Sequence, residues 1–423
     1  MRPALRERDQ STTAPVNARA VELGAAAAEF FADPTVRAEP SSLYGRLVRD
    51  APILDLGHLW LVSGFDELTQ LLTRRELRSF PSVGGQVFPM SLVPSLATWL
   101  ALMLPVSDGA RHRGLKQLAA ATFSPSRIAT LEKLIEDNVE DILDQARVCG
   151  AIDIVADLAV PLPLAISTAI LDIPQEDRAR VHEWALLVRR QLLCYSQDAT
   201  EIALAEAELQ KCASYIRSLC EVRREHPGQD LISDLVSAAS AACLSNDELV
   251  AYVLMLFVNG LETLTSGLTM AVWELLQRPN ERSAVARDRD YAEAVFDEAI
   301  RLHTPVRFSA RTLAADITIG GYRFREGDVV ALFFSAANRD PRRFAEPDQF
   351  MLTRRRGRHL GFGYGVHYCL GASLSLSVGA TVLQRMARLQ GPVTTDVTAE
   401  TASWSPSLAY NTLASLPLRI GHG

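Results

Sequence analysis

Residues 362–371 read Phe-Gly-Tyr-Gly-Val-His-Tyr-Cys-Leu-Gly, and Cys369 is the side chain best placed to do chemistry. Gly363, Gly365 and Gly371 permit unusual backbone dihedrals and close approach to a flat partner. The run that follows, Ala372 to Leu383, can form a helix beginning just after Cys369. Amide donors and the dipole at a helix N-terminus favour a thiolate over a thiol. A lone thiolate, with no second cysteine or metal-spaced histidine, suits an axial ligand better than a structural zinc site. The other cysteines (Cys149, Cys194, Cys212, Cys220 and Cys243) form no C-x-x-C pair and read as buried or half-buried structural thiols.

A second group lies upstream. Ser245-x-x-Glu248 is a capping-box start, and no proline follows until Pro279. A helix of that length spans roughly 50 Å. Its first half, Leu249 to Val258, is continuously apolar and predicts burial on all sides. Asn259, Glu262, Thr263 and Ser266 then recur at spacings of three and four, which stacks them along one face. Polar groups midway along a buried helix are costly unless they meet partners, water or a ligand. The alternative is a helix that emerges into solvent after Val258. This segment alone leaves both readings open.

The elements that must position these groups follow from patterning. Ile53 to Ser63 alternates and turns at Gly57-His58, as a hairpin does. From Arg111 to about Cys243 the pattern is helical, punctuated by Pro161, Pro163, Pro174 and Pro227. Ile317 to Phe334 is sheet-like, with turns at Gly320-Gly321 and Glu326-Gly327-Asp328. The class is mainly α with small β-sheets. Residues 1–20 read as a polar, mobile tail and 21–423 as one domain. The 423 residues are 48% hydrophobic, which excludes intrinsic disorder. A net charge of −7 argues against a nucleic-acid binder. Scattered cysteines and the lack of a signal peptide or membrane span point to a cytoplasmic protein; a monomer is expected.

Residues 362–371 resemble the haem-ligand loop of the cytochrome P450 family, Phe-x-x-Gly-x-x-x-Cys-x-Gly, in its soluble bacterial form. Phe362, Gly365, Cys369 and Gly371 match, and His367 fits the bacterial His-x-Cys variant. Further segments agree in order from about Asp33 to Leu418. Glu298-Ala-Ile-Arg301 matches the Glu-x-x-Arg pair, to which the resemblance gives a structural role. Its usual third partner, an arginine in Pro-x-Arg-Phe, is replaced by Gln349, so either Arg354 compensates or the pair stands alone. Asn259-Gly260-Leu261-Glu262-Thr263 resembles the Ala-Gly-x-(Asp/Glu)-Thr segment of the central helix, which overturns the solvent reading. Gly260 would allow dioxygen close to the backbone, while Glu262 and Thr263 would organise water and pass protons. Asn259 stands for the usual Ala and Leu264 for a common second Thr, so Asn259 would read a polar substrate group or a water.

The resemblance also implies that His112 and Lys116, within Asp108-Gly-Ala-Arg-His-Arg-Gly-Leu-Lys116, bind haem propionates together with Arg311. Val87, Phe88, Leu256, Val306 and Phe308 would line the substrate pocket, with recognition elements in Phe80 to Pro105 and Leu187 to Ala213. Arg307 reads as a surface charge, and His303 and His359 as packing or surface residues.

The implied activity is a haem-thiolate monooxygenase holding haem b through Cys369. It would act on a hydrophobic or amphiphilic small molecule, free or carrier-protein-bound, in natural-product biosynthesis. The alternatives are a coupling or peroxide-driven haem-thiolate catalyst and, remotely, a haem sensor or carrier. Electrons would come from a ferredoxin and an NAD(P)H-ferredoxin reductase. Seven arginines between Arg339 and Arg358 face three carboxylates, a basic island that would join Arg111, Arg113 and Lys116 in a docking face.

Overall fold

The computed structural model describes residues 18–421 except 39, 58, 80–85, 88–89, 92–97, 100, 121–122, 195–197, 229, 242–243 and 355–358. Most of the proposed tail therefore lies outside the described residues. The first helix, Ala18–Ala32, already includes the last three residues assigned to that tail.

Helices dominate, as the patterning predicts. The central helix Asn246–Leu276 begins with the full capping box: the Ser245 side chain accepts from Glu248 N–H and the Glu248 carboxylate accepts from Ser245 N–H. Leu249 to Met255 are all buried, so the apolar half forms the middle of the molecule. This helix is long and apolar enough to cross a membrane, but 75% of its most apolar window is buried against neighbouring elements. Two helices pack beside it: Arg289–Leu302, carrying Glu298 and Arg301, and Ala372–Ala387, which follows Cys369. Gly379 and Gly267 are required where they meet, because a Cβ there would lie 2.2 Å and 3.1 Å from the Phe296 ring.

The sheets are small. In the largest, five strands run in the order Ile53–Asp55, Trp60–Val62, Val329–Leu332, Ser309–Leu313, Leu77–Ser79. Ile53↔Val62 register confirms the early hairpin; Gly57, at φ 81°, makes its turn, and His58 lies outside the described residues. Ile317–Ile319 pairs with Tyr322–Phe324 across Gly320-Gly321, both at positive φ, as the turn chemistry predicts. Parallel pairing of Val329–Leu332 with Trp60–Val62 joins the two ends of the chain, which no local pattern could reveal. Cys212 and Cys220 are buried as expected, whereas Cys149, at a helix C-terminus, is exposed.

Candidate active site

A cavity of about 420 Å³ lies between the central helix and the Cys369 loop. Its sulfur-side wall is Leu360 to Gly371, Gly365 excepted, with Leu374 and Ser375; its opposite wall includes Leu256, Asn259, Gly260, Thr263 and Leu264. The loop reaches this place through two glycines at positive φ, Gly363 (73°) and Gly365 (66°), where a side chain would be strained. Cys369 N–H donates to Phe362 O at 2.9 Å, closing the loop on itself. Burial pushes the Cys369 thiol up, and the Gly371 N–H and Lys116 charge only oppose it. A cation at the sulfur is what would release the proton.

Cationic side chains gather at one edge of this cavity. His112 is buried (4% exposed), and its ring lies 4.3 Å from that of His367. Burial, Arg311, His112 and Lys116 push His367 down to about 3, so it stays neutral. Burial and then Lys116 hold His112 low as well. Arg311 donates to Ser309 Oγ at 2.6 Å and Ala310 O at 2.8 Å, with no carboxylate in ion-pair range among the described residues; burial lowers it to about 10. Lys116 Nζ donates to Val366 O at 2.5 Å. A half-buried guanidinium with no carboxylate in ion-pair range among the described residues, beside a lysine and two histidines, is a donor set for an anionic group. One sulfur on a wall, cations at an edge and a small-residue wall opposite fit a flat, doubly carboxylated metal macrocycle.

Not every predicted residue stands where it was expected. Thr263 faces the cavity and donates to Asn259 O at 2.9 Å, and Asn259 and Gly260 share that wall. Glu262 is buried (2% exposed) but lies behind the wall instead of on it. Ser266, also on the predicted stripe, donates to Asn411 O. Leu256 and Val306 line the cavity. Phe308 does not: it is stacked on Phe333, ring centroids 5.1 Å apart, in a separate core, because successive residues of extended backbone point to opposite sides and Ser309 and Arg311 take the cavity side. Phe88 and the side chain of Val87 lie outside the described residues. The helices between Leu187 and Ala213 contribute no lining among the described residues; Pro163 to Leu171, Leu231 and Met255 do so instead. Tyr410, from the far end of the chain, also lines the cavity, and no motif singled it out.

Behind the sulfur wall, Glu298 and Arg301 form a buried pair with bonds at 2.8 Å, Arg301 also donating to Asn338 O, Pro347 O and Gln349 O. Arg354 Nε reaches Glu298 Oε1 at 3.1 Å, so it supplies the guanidinium that Gln349 cannot. His359 packs there too, paired with Asp297 at 2.9 Å, while His303 meets Glu274 at 2.5 Å. Arg307 overturns its surface reading: it is 0% exposed.

The basic island is largely consumed. Arg339 pairs with Asp348 at 2.5 Å, Arg342 with Glu67 and Asp340, and Arg354 with Glu298, while Arg343 lies over the Phe65 ring. Arg355, Arg356 and Arg358 lie outside the described residues. Arg111 is paired with Glu248 at 2.7 Å.

Known proteins resemble this chain in sequence and in fold. The family model described as Cytochrome P450 matches residues 196–386. Nocardicin C N-oxygenase of Nocardia uniformis subsp. tsuyamanensis is 33% identical over 320 residues, covering 75% of this chain and 78% of that one. The biotin biosynthesis cytochrome P450 of Bacillus subtilis (strain 168) is 30% identical over 362 residues, covering 83% and 90%. The crystal structure of P450BioI in complex with hexadec-9Z-enoic acid ligated acyl carrier protein superposes with a TM-score of 0.81 at 26% identity, covering 93% and 99%. On relatives 30% and 33% identical that it matches over most of their length, this chain belongs to the cytochrome P450 family and is a haem monooxygenase.

Proposed function

We propose that the chain binds haem b through Cys369 and oxidises a hydrophobic or amphiphilic small molecule, in natural-product biosynthesis, with O₂ and externally supplied electrons. The observation carrying this reading is the placement of the Cys369 sulfur and the Asn259–Gly260–Thr263 wall around one cavity. When bound, the haem supplies reductive O₂ activation, one oxygen entering a C–H or C=C bond and the other leaving as water. His112, Lys116 and Arg311 hold its carboxylates. The Thr263 hydroxyl, with its hydrogen donated to Asn259 O, keeps its oxygen free to accept from water in the cavity. Glu262, one step behind, is the carboxylate that exchanges protons with that water. Leu256, Val306, Ile166 and Ile170 give the remaining wall its apolar character and exclude solvent.

The docking face for the electron donor is carried by Arg74, Arg75 and Arg113, all exposed and without a carboxylate partner among the described residues. Leu72, just before the first two, faces Gly365, and the helix bearing Arg113 holds Val366 through Lys116. An acidic ferredoxin with its NAD(P)H-dependent reductase suits this face. A carrier-bound substrate is the second reading, favoured by the acyl carrier protein complex of the P450BioI relative.

The test combines the ferrous–CO spectrum with NADPH oxidation by a surrogate ferredoxin and reductase. A red-shifted Soret band and O₂-dependent turnover are expected. A band without the thiolate shift sinks the Cys369 assignment; turnover with peroxide alone favours the peroxide-driven alternative. Spectral titration with free acids and with their carrier-protein conjugates separates the two substrate readings.

A further inference from the structure

The turn 405–412 brings Tyr410 to the cavity from near the C-terminus, and distant segments restrain it. Arg37 Nη2 donates to Pro406 O at 3.0 Å. Arg307 donates from its backbone to Ala409 O at 2.8 Å and from Nε to Tyr410 O at 3.1 Å. Asn411 N–H donates to Pro305 O at 2.9 Å, and Ser266 on the central helix donates to Asn411 O. Beyond the turn, the Tyr410 phenol is half-buried against the cavity; burial and then the Glu262 charge push it up to about 12. Tyr410 therefore lines the cavity at the end of a tightly held turn.

Arg307 is the anomaly among these restraints. It is fully buried like Arg301, but Arg301 faces Glu298 at 2.8 Å, and Arg307 has no carboxylate in ion-pair range among the described residues. Its partners are the Tyr410 carbonyl and the Tyr44 hydroxyl at 3.3 Å, with the Phe30 ring 6.0 Å from Cζ; Nη2 has no hydrogen-bond partner among the described residues. For folding alone, an apolar side chain of similar volume serves as well or better than a buried cation. What the guanidinium adds is a directed hold on the Tyr410 backbone.

We propose that Arg307 is a positioning residue: by gripping the Tyr410 carbonyl it fixes how far Tyr410 intrudes over the cavity, and so which bulky ligands the site accepts. This rests on the haem-thiolate reading above.

Holoenzyme of the parent, Arg307→Met, Arg307→Lys, Tyr410→Ala and the Arg307→Met/Tyr410→Ala double variant is titrated with two iron ligands, 4-phenylimidazole and cyanide. Arg307→Met is expected to weaken 4-phenylimidazole about tenfold while leaving cyanide within about twofold and the melting temperature at or above the parent's. Arg307→Lys, keeping one cationic donor, falls between parent and Arg307→Met; it carries the test if Arg307→Met does not take up haem. The double variant binds no more weakly than Tyr410→Ala, because Arg307 acts through Tyr410. Parent-like discrimination in both Arg307 variants overturns the proposal. So does full additivity in the double variant, or a lowered melting temperature with unchanged discrimination. A parent enzyme without the thiolate ferrous–CO band would instead fail the underlying reading.

Discussion

The two walls of the cavity are built in opposite ways. The sulfur wall is largely one stretch, Leu360 to Leu374, folded back on itself by two positive-φ glycines and the Cys369 N–H bond to Phe362 O. The distal wall is assembled from helices 161–170 and 246–276, the segment 305–311, and the turn at Tyr410. A contiguous wall carries its chemistry in residue types at fixed spacing. An assembled wall takes its shape from contacts between segments far apart in the chain, such as Ser266 with Asn411, 145 positions away.

If that contrast is right, substitutions on the sulfur wall act as switches and those on the distal wall act by degree. The largest effect is expected for Cys369→Ser, which should abolish the red-shifted ferrous–CO band outright; a surviving band would place the ligand elsewhere. Next is Glu298→Gln, which leaves the buried guanidinium of Arg301 and the half-buried one of Arg354 without their carboxylate. A loss of about 3–5 kcal/mol in unfolding free energy is expected, measured by denaturant titration. A loss below about 1 kcal/mol would reduce the cluster to the worth of a surface pair.

On the distal wall, Thr263→Ala should leave spectral binding of ligands within about twofold, a small energetic change. It should also divert most reducing equivalents to peroxide, read as peroxide formed per NADPH consumed. Unchanged coupling would remove the Thr263 hydroxyl from proton handling. The smallest effect belongs to the surface. Arg74→Glu with Arg113→Glu should slow ferredoxin-driven reduction severalfold at low salt and leave dithionite reduction alone. The difference should fade toward 1 M salt, where the Debye length is about 3 Å. Reduction that is indifferent to both charge reversal and salt would move the docking face elsewhere.

The arginines show where reading by residue type runs out. Between Arg339 and Arg358 they form a basic island in sequence, but Arg339, Arg342 and Arg354 are spent on Asp348, on Glu67 and Asp340, and on Glu298. Charge counting along the chain cannot see Glu67, which lies 275 positions from Arg342. Arg354 illustrates the converse: the missing arginine at Gln349 was visible, and its substitute stood four positions past Phe350. Only the tertiary contact distinguishes that arginine from its neighbours in the run.

Periodicity and caps were enough for the central helix, because Ser245, Glu248 and the apolar run that follows act on their own turn of helix. The Cys369 loop was equally legible, since its glycines are demanded by local backbone geometry. Short-range forces write themselves into adjacent residues. Which side of the wall Glu262 occupies, why Phe308 faces a core and not the cavity, and how Arg307 comes to be wholly buried depend on elements packed from both ends of the chain. Burial is a property of what covers a residue, and here the cover comes from Tyr44, Phe30 and the 405–412 turn.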